Sequence, residues 1–265
     1  MPRARVDFRV VSRRDVLAGL AAATGAAACD NTSFPSPGGT GAGAEAAAPG
    51  EPIAPITANV DFYVTSCCGT NEYNLAISNA VWTGLPLRDI FESLGVTIPV
   101  TALELVFTSA DGYSTSLPVS DIDKPLWLVW RMNGEPLPAT HGYPARLLVP
   151  GRYGMKNPKW IVGITFTDTP YTGGHWESYG WSNEATYRPN ALVREPGRRA
   201  TVEVGPVLVQ DMAFAGSDPI ARVQVRFDGG DWTEATLDYA PGPDVWTLWH
   251  IDWDAPVGSM EVEVV

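Results

Sequence analysis

Two groups of side chains in this sequence have types and spacing suited to chemistry. Cys67 and Cys68 are adjacent thiols, and thiolate is a preferred ligand of soft metals. The plain alternative is a vicinal pair of inert cysteines. The second group lies between His141 and Trp160, where His141, Arg146, Lys156 and Lys159 supply donors and Gly142, Pro144, Pro150, Gly151, Gly154 and Pro158 restrict the backbone. The whole chain has 18 Lys+Arg against 30 Asp+Glu. Four basic groups in one short stretch of so acidic a chain point to an anion pocket, most simply for phosphate. Arginine offers a planar fork and each lysine a point charge. A solvated basic loop is the alternative.

Several other chemistries lack their residues. Histidine occurs at positions 141, 175 and 250, with no His-x₃-His or Cys-x₂-Cys pair for structural zinc. There is no Gly-x-Ser-x-Gly nucleophile elbow and no Gly-x₄-Gly-Lys phosphate loop. A net charge of −12, with no Lys/Arg cluster beyond the first 14 residues, argues against nucleic acid as a partner. No apolar run is long enough for a spanning helix.

The elements that must position these groups follow from composition and period. Among 265 residues there are 26 Gly, 23 Pro and 10 Trp, which suits a turn-rich β protein. Leu87, Ile90, Phe91 and Leu94 repeat with helical spacing between Pro86 and Gly95, predicting a short helix over 86–94. Strands are expected at 103–107, 126–131, 145–149 and 160–166. From residue 198 onward, apolar runs at 200–209, 220–227, 232–237, 245–252 and 260–265 alternate with turns such as Asp228-Gly229-Gly230. That pattern predicts a small β-sandwich of immunoglobulin type, with its boundary in the polar stretch 189–198.

The first residues read as an address. Arg3, Arg5, Arg9 and the pair Arg13-Arg14 precede an Ala-rich apolar stretch, Val16 to Ala28, as in a twin-arginine export leader. Ala26-Ala27-Ala28-Cys29 resembles a bacterial lipoprotein cleavage site, which would make Cys29 a lipid anchor. Residues 29–54, rich in Gly, Ala, Pro and Ser, are expected to form a flexible tether. The expected organisation is a leader at 1–28, the tether at 29–54, a first domain at 55–193 and the sandwich at 194–265. The expected location is the periplasm or the outer face of the membrane.

Several runs resemble the sulfite oxidase family of molybdopterin enzymes. Trp82-Thr83-Gly84-Leu85-Pro86-Leu87 is similar to its Trp-Thr-Gly-Val-Pro-Leu segment, and Tyr113-Ser114-Thr115-Ser116-Leu117-Pro118 to its Tyr-Gly-x-Ser-Ile-Pro segment. His141 to Arg146 resembles His-Gly-x-Pro-x-Arg, and Lys156 to Trp160 resembles Lys-x-x-Lys-Trp. Asp228-Gly229-Gly230-Asp231-Trp232 to Ala235 is similar to the Asp-Gly-Gly-x-Trp-x-x-Ala signature of the family's second domain. The motifs occur in family order over roughly residues 57–265.

The resemblance implies an α+β fold: a sulfite-oxidase-like mixed cofactor domain followed by an Ig-like β-sandwich of dimerisation type. It implies an enzyme, an exported oxidoreductase with a molybdenum-molybdopterin cofactor, transferring an oxygen atom to or from a small sulfur oxyanion or sulfoxide. A haem partner (a cytochrome) would exchange electrons with it, and a homodimer is expected. The metal ligand would be Cys68, from Cys68-Gly69-Thr70-Asn71, with Cys67 as the alternative. Asn59, Phe62, Tyr63, Ser109, His141, Arg146, Asn157 and Lys159 would bind the cofactor, and Tyr113 would face the substrate. Tyr63 and Cys68 are five residues apart, much closer than the family's corresponding segments. A block of the cofactor domain is therefore expected to be deleted and the sandwich C-terminally short. The competing expectation is a degenerate, cofactor-free extracytoplasmic binding or assembly module of the same fold.

Overall fold

The computed structural model describes the backbone of residues 6–12 and 60–67, and residues 77–265 with their side chains. Asn59, Cys68 and Cys29 lie outside the described residues, as does the tether. The chain divides into two units. One comprises Cys29–Tyr63 and Ala80–Ala185, the other Met1–Ala28, Val64–Asn79 and Thr186–Val265. The first described strand, β1 (Val6–Ser12), belongs to the second unit.

Two sheets and one helix carry the first unit, except that Val64–Cys67 of one strand and Ile77–Asn79 of the next are counted with the second. Strands β2 (Val60–Cys67) and β3 (Ile77–Pro86) are followed by helix α1 (Leu87–Ser93), β4 (Glu104–Ser109) and β5 (Ser114–Pro118). Then come β6 (Trp127–Met132), β7 (Glu135–Pro136), β8 (Arg146–Leu148) and β9 (Ile161–Thr167). One sheet runs β2-β3-β6-β7 with β8 also on β6, and the other runs β5-β4-β9. The pairs β4–β5 and β4–β9 are antiparallel, as are β6–β8 and β3–β6.

The helix forms where its apolar period predicted. Leu87 and Phe91 are its buried positions, and they pack on Leu105, Phe107, Leu117, Ile122, Leu126 and Leu147. Its first residue is pinned by Leu87 N–H donating to the Leu126 carbonyl at 2.7 Å. Gly95, at φ +65°, takes the left-handed conformation that ends it. α1 is the sole α-helix among the described residues; elsewhere there are short 3₁₀ turns, at Val119–Asp123, Ala139–His141, Gly154–Lys156 and Glu177–Tyr179. The described residues are therefore mostly sheet with little helix, less mixed than the α+β expectation. Segments rich in Pro and Gly cannot sustain a helical ladder and settle into single turns.

The second unit holds two more sheets. Its strands are β10 (Asn190–Ala191), β11 (Thr201–Val202), β12 (Gly205–Phe214), β13 (Gln224–Phe227), β14 (Thr233–Glu234), β15 (Thr236–Tyr239), β16 (Thr247–Ala255) and β17 (Gly258–Val264). They pair in the orders β10-β12-β16-β15 and β11-β1-β17-β13-β14. Val209, Trp249 and Ile251 from the first sheet share a core with Val225, Val262 and Val264 from the second. Phe227 stacks on Trp253 with ring centroids 4.5 Å apart. The segment expected to open an export leader is thus a strand. β1 runs parallel to β17 over seven pairs, from Val6 opposite Gly258 to Ser12 opposite Val264, and antiparallel to β11 on its other side.

Candidate functional site

A cationic cradle forms where β8 meets the loops on either side. Arg146 opens β8 in register with Val129 of β6. Its guanidinium is 5.3 Å from the ring centre of Trp82 on β3, and it donates to the carbonyls of His141 at 3.2 Å and Asn157 at 3.3 Å. Burial brings Arg146 down to about 10, so it stays a cation at neutral pH. Lys159 donates to the Thr140 carbonyl at 2.9 Å and lies over the Trp160 ring. The Trp160 indole in turn donates to the Ala139 carbonyl at 2.7 Å. Among the described residues neither Arg146 nor Lys159 nor His141 has a salt-bridge partner.

Gly142 lies between these cations. At φ +111° it takes a conformation that side chains rarely adopt, and a Cβ there would lie 3.0 Å from the Arg146 Cβ and 3.1 Å from the Lys159 Cβ. The three cations disfavour one another. Partial burial, then Arg146, then Lys159 hold His141 below the ordinary imidazole range. Burial and then Arg146 lower Lys159, while Asp111 raises it.

The cradle also has unpartnered donors. Arg146 Nε, Ser109 Oγ and Trp82 Nε1 are buried without a hydrogen-bond partner among the described residues. A buried donor left unmet costs about 1–3 kcal/mol. Ser109 is tied to the segment that follows Lys159: Ala110 N–H donates to the Trp160 carbonyl at 2.9 Å, and Ser109 pairs with Ile161 of β9. Excess cation, orphaned donors and a glycine-lined approach suit a multiply charged anion such as a phosphate group.

The sequence-predicted residues divide accordingly. Ser109, His141, Arg146 and Lys159 come together. Asn157 serves Arg146 through its carbonyl; its own amide donates to Gly154, and its side chain joins Val149 to the carbonyls of Arg152 and Tyr153. Lys156 departs from the expectation of an anion donor. It is fully buried and turned inward to Glu177, Thr115, Asn183 and the Ser116 carbonyl. Phe62, Tyr63 and Cys67 are described by backbone alone, on β2.

Tyr113 lies at the other end of the same turn. Its backbone carbonyl accepts from Ser109 N–H and its own N–H donates to Asp111 Oδ1. The phenol donates to the Met155 carbonyl at 2.6 Å, and the His175 ring is 6.2 Å away. Burial, then Glu177 and Asp111, push the phenol well above its usual range. It is neutral at any physiological pH. Sequence reasoning did not single out Trp82, His175 or Glu177 as site residues. Trp82 was signalled by its motif, whereas His175 and Glu177 fall in a loop without local pattern.

Residues 57–176 match the family described as the oxidoreductase molybdopterin binding domain. Mitochondrial sulfite oxidase of Homo sapiens is 29% identical over 222 residues, covering 72% of this chain and 41% of that protein. The mitochondrial sulfite oxidase of Drosophila melanogaster is 30% identical, covering 66% and 36%. Inducible nitrate reductase [NADH] 2 of Glycine max is 27% identical, covering 76% and 28%. The chain therefore spans less than half the length of these relatives. Among solved structures, the sulfane dehydrogenase SoxCD of Paracoccus pantotrophus shares the fold at a TM-score of 0.65 and 22% identity, over 76% of this chain and 58% of that one.

Proposed function

The chain belongs to the sulfite oxidase family of molybdopterin oxidoreductases, and on that premise we propose that it is a molybdenum-dependent oxidoreductase acting on a small sulfur oxyanion or sulfoxide. The observation that carries the reading is the cradle of Arg146, Lys159 and His141, with Arg146 Nε and Ser109 Oγ buried and unmet. These residues fit the phosphate end of a pterin cofactor. When bound, molybdenum-molybdopterin supplies two-electron redox chemistry with oxygen-atom transfer.

The protein's own groups have separable roles. Arg146 would grip the phosphate with its planar fork and Lys159 with a point charge, while Asn157 and Trp82 hold the guanidinium in place. Ser109 would donate its free hydroxyl to the pterin. Cys68 would be the thiolate ligand of the metal, with Cys67 as the alternative. Tyr113, neutral and with one proton to give, would turn that proton from the Met155 carbonyl to a bound oxyanion, with His175 beside it.

The wider reading extends the same proposal. Residues 1–28 would serve as a twin-arginine leader, placing the protein in the periplasm or, with a lipid at Cys29, on the outer membrane face. A haem protein would exchange electrons singly with it. The second unit would be an Ig-like sandwich, and the family's use of that domain in pairing supports a homodimer.

The test is metal content. The full chain would be expressed with the molybdenum-cofactor pathway present, and molybdenum and pterin quantified beside Cys68→Ala and Cys67→Ala. About one molybdenum per chain, lost in Cys68→Ala and kept in Cys67→Ala, is expected. A folded wild-type chain without molybdenum would overturn the proposal.

A further inference from the structure

The best-buried cation of the first unit is not in the cradle. Lys156 is 0% exposed, and its ammonium donates to Thr115 Oγ1 at 3.0 Å, the Ser116 carbonyl at 2.9 Å, Asn183 Oδ1 at 2.6 Å and the Glu177 carboxylate. Glu177 also accepts from the Thr115 hydroxyl at 2.8 Å. One ammonium thus ties β5, the 3₁₀ turn Gly154–Lys156 and the 177–183 segment together. So large an internal investment in polar contacts needs a reason, because replacing a buried ion pair by apolar groups is often neutral or stabilising.

The backbone of Lys156 supplies the reason. Its N–H donates to the Tyr153 carbonyl at 2.8 Å, and the other side of the same peptide plane is the Met155 carbonyl, which accepts the Tyr113 phenol at 2.6 Å. The plane is therefore held at its nitrogen by Tyr153, at its α-carbon by the buried Lys156 side chain, and at its oxygen by Tyr113. Tyr113 itself immediately precedes β5, whose Thr115 and Ser116 grip the same ammonium.

We propose that Lys156, paired with Glu177, is a positioning residue for Tyr113: it fixes the Met155 carbonyl and so sets where the phenolic proton lies and how the phenol oxygen is presented. This rests on the reading of Tyr113 as a substrate-facing residue. Neither Lys156 nor Glu177 touches the substrate. The charged and titratable groups around the phenol are Glu177, Asp111 and His175, with Lys156 behind the carbonyl.

Met155-Lys156 is the single Met-Lys pair in the sequence. Labelling methionine with carbonyl ¹³C and lysine with ¹⁵N therefore gives one cross-peak, which reports the Met155 carbonyl directly. Tyr113→Phe sets the position of that peak without the phenol bond. In Glu177→Gln, and independently in Thr115→Val, the peak is expected to move at least about half-way toward that position. In the molybdenum-loaded Glu177→Gln enzyme, kcat is expected to fall on the order of tenfold with KM and molybdenum content unchanged. A wild-type carbonyl peak in both folded variants would overturn the proposal, as would a loss of activity that tracks loss of metal. The carbonyl readout needs no molybdenum, so a chain that never binds the cofactor would defeat the proposed function and leave this test intact.

Discussion

His141 makes the cradle sensitive to pH. Its cation is disfavoured by burial and by Arg146 and Lys159. In the anion-free chain the unfolded imidazole therefore takes up a proton first, and stability declines as pH falls through the ordinary imidazole range near about 6.5. A bound phosphate reverses the balance, since it favours the imidazolium. The bound state then holds more protons at His141, and affinity for an anion of fixed charge such as sulfate rises as pH falls from about 7 toward about 5. Calorimetric titration with inorganic sulfate, a dianion throughout that range, is expected to show the rise, and His141→Asn to flatten it. A flat wild-type response would put the imidazole out of reach of the anion. At the same scale, Arg146→Lys keeps a charge but loses the fork and the stack on Trp82. The loss in sulfate binding is expected to be about 1.5–3 kcal/mol, measured by the same titration.

At the scale of elements, close backbone approaches hold the site. A Cβ on Gly84 would collide with the Leu128 carbonyl and the Val129 side chain, where the β3–β6 ladder shifts register between Thr83 and Gly84. Gly84→Ala is expected to destabilise the first unit by about 1–3 kcal/mol in chemical denaturation. It should also displace Trp82, two residues away, from Arg146. Gly142→Ala strains a left-handed backbone inside the cradle and is expected to lower phosphate affinity as well as stability. A Gly142→Ala chain that binds phosphate like wild type would show the close packing to be incidental. Much of this was legible in the sequence, for local reasons. The helix announced itself by its period and by Gly95, and His141, Arg146 and Lys159 lie in one stretch with the turns that fold it back. What was not legible depends on distant partners. The strand Ser114–Pro118 carries Ser and Thr where apolar residues would mark it, because Glu177 and Lys156 meet the Thr115 hydroxyl, and Tyr171 the Ser114 hydroxyl, from other segments. Lys156 looked like a surface donor, and its inward turn is decided by Glu177, 21 residues further on.

For the whole molecule, the informative feature is β1. The register sets Phe8, Val10 and Ser12 opposite Met260, Val262 and Val264, and Arg9 opposite Glu261. On the other side β1 meets β11, so a chain without residues 1–28 leaves β11 and β17 with open edges. Amide exchange at Ser259–Val264 is expected to be at least about tenfold faster in that shortened chain than in the full chain. Equal protection would show that β17 does not depend on β1. The pairing also imposes a timetable. Val6–Ser12 leave the ribosome about 250 residues before their partners Gly258–Val264, which at 5–20 residues per second is on the order of ten seconds or more. For that interval Arg13-Arg14 stands beside an uncommitted segment. If residues 1–28 are read by an export receptor, as proposed above, one arriving early meets an unpaired segment and one arriving late must unzip seven paired residues.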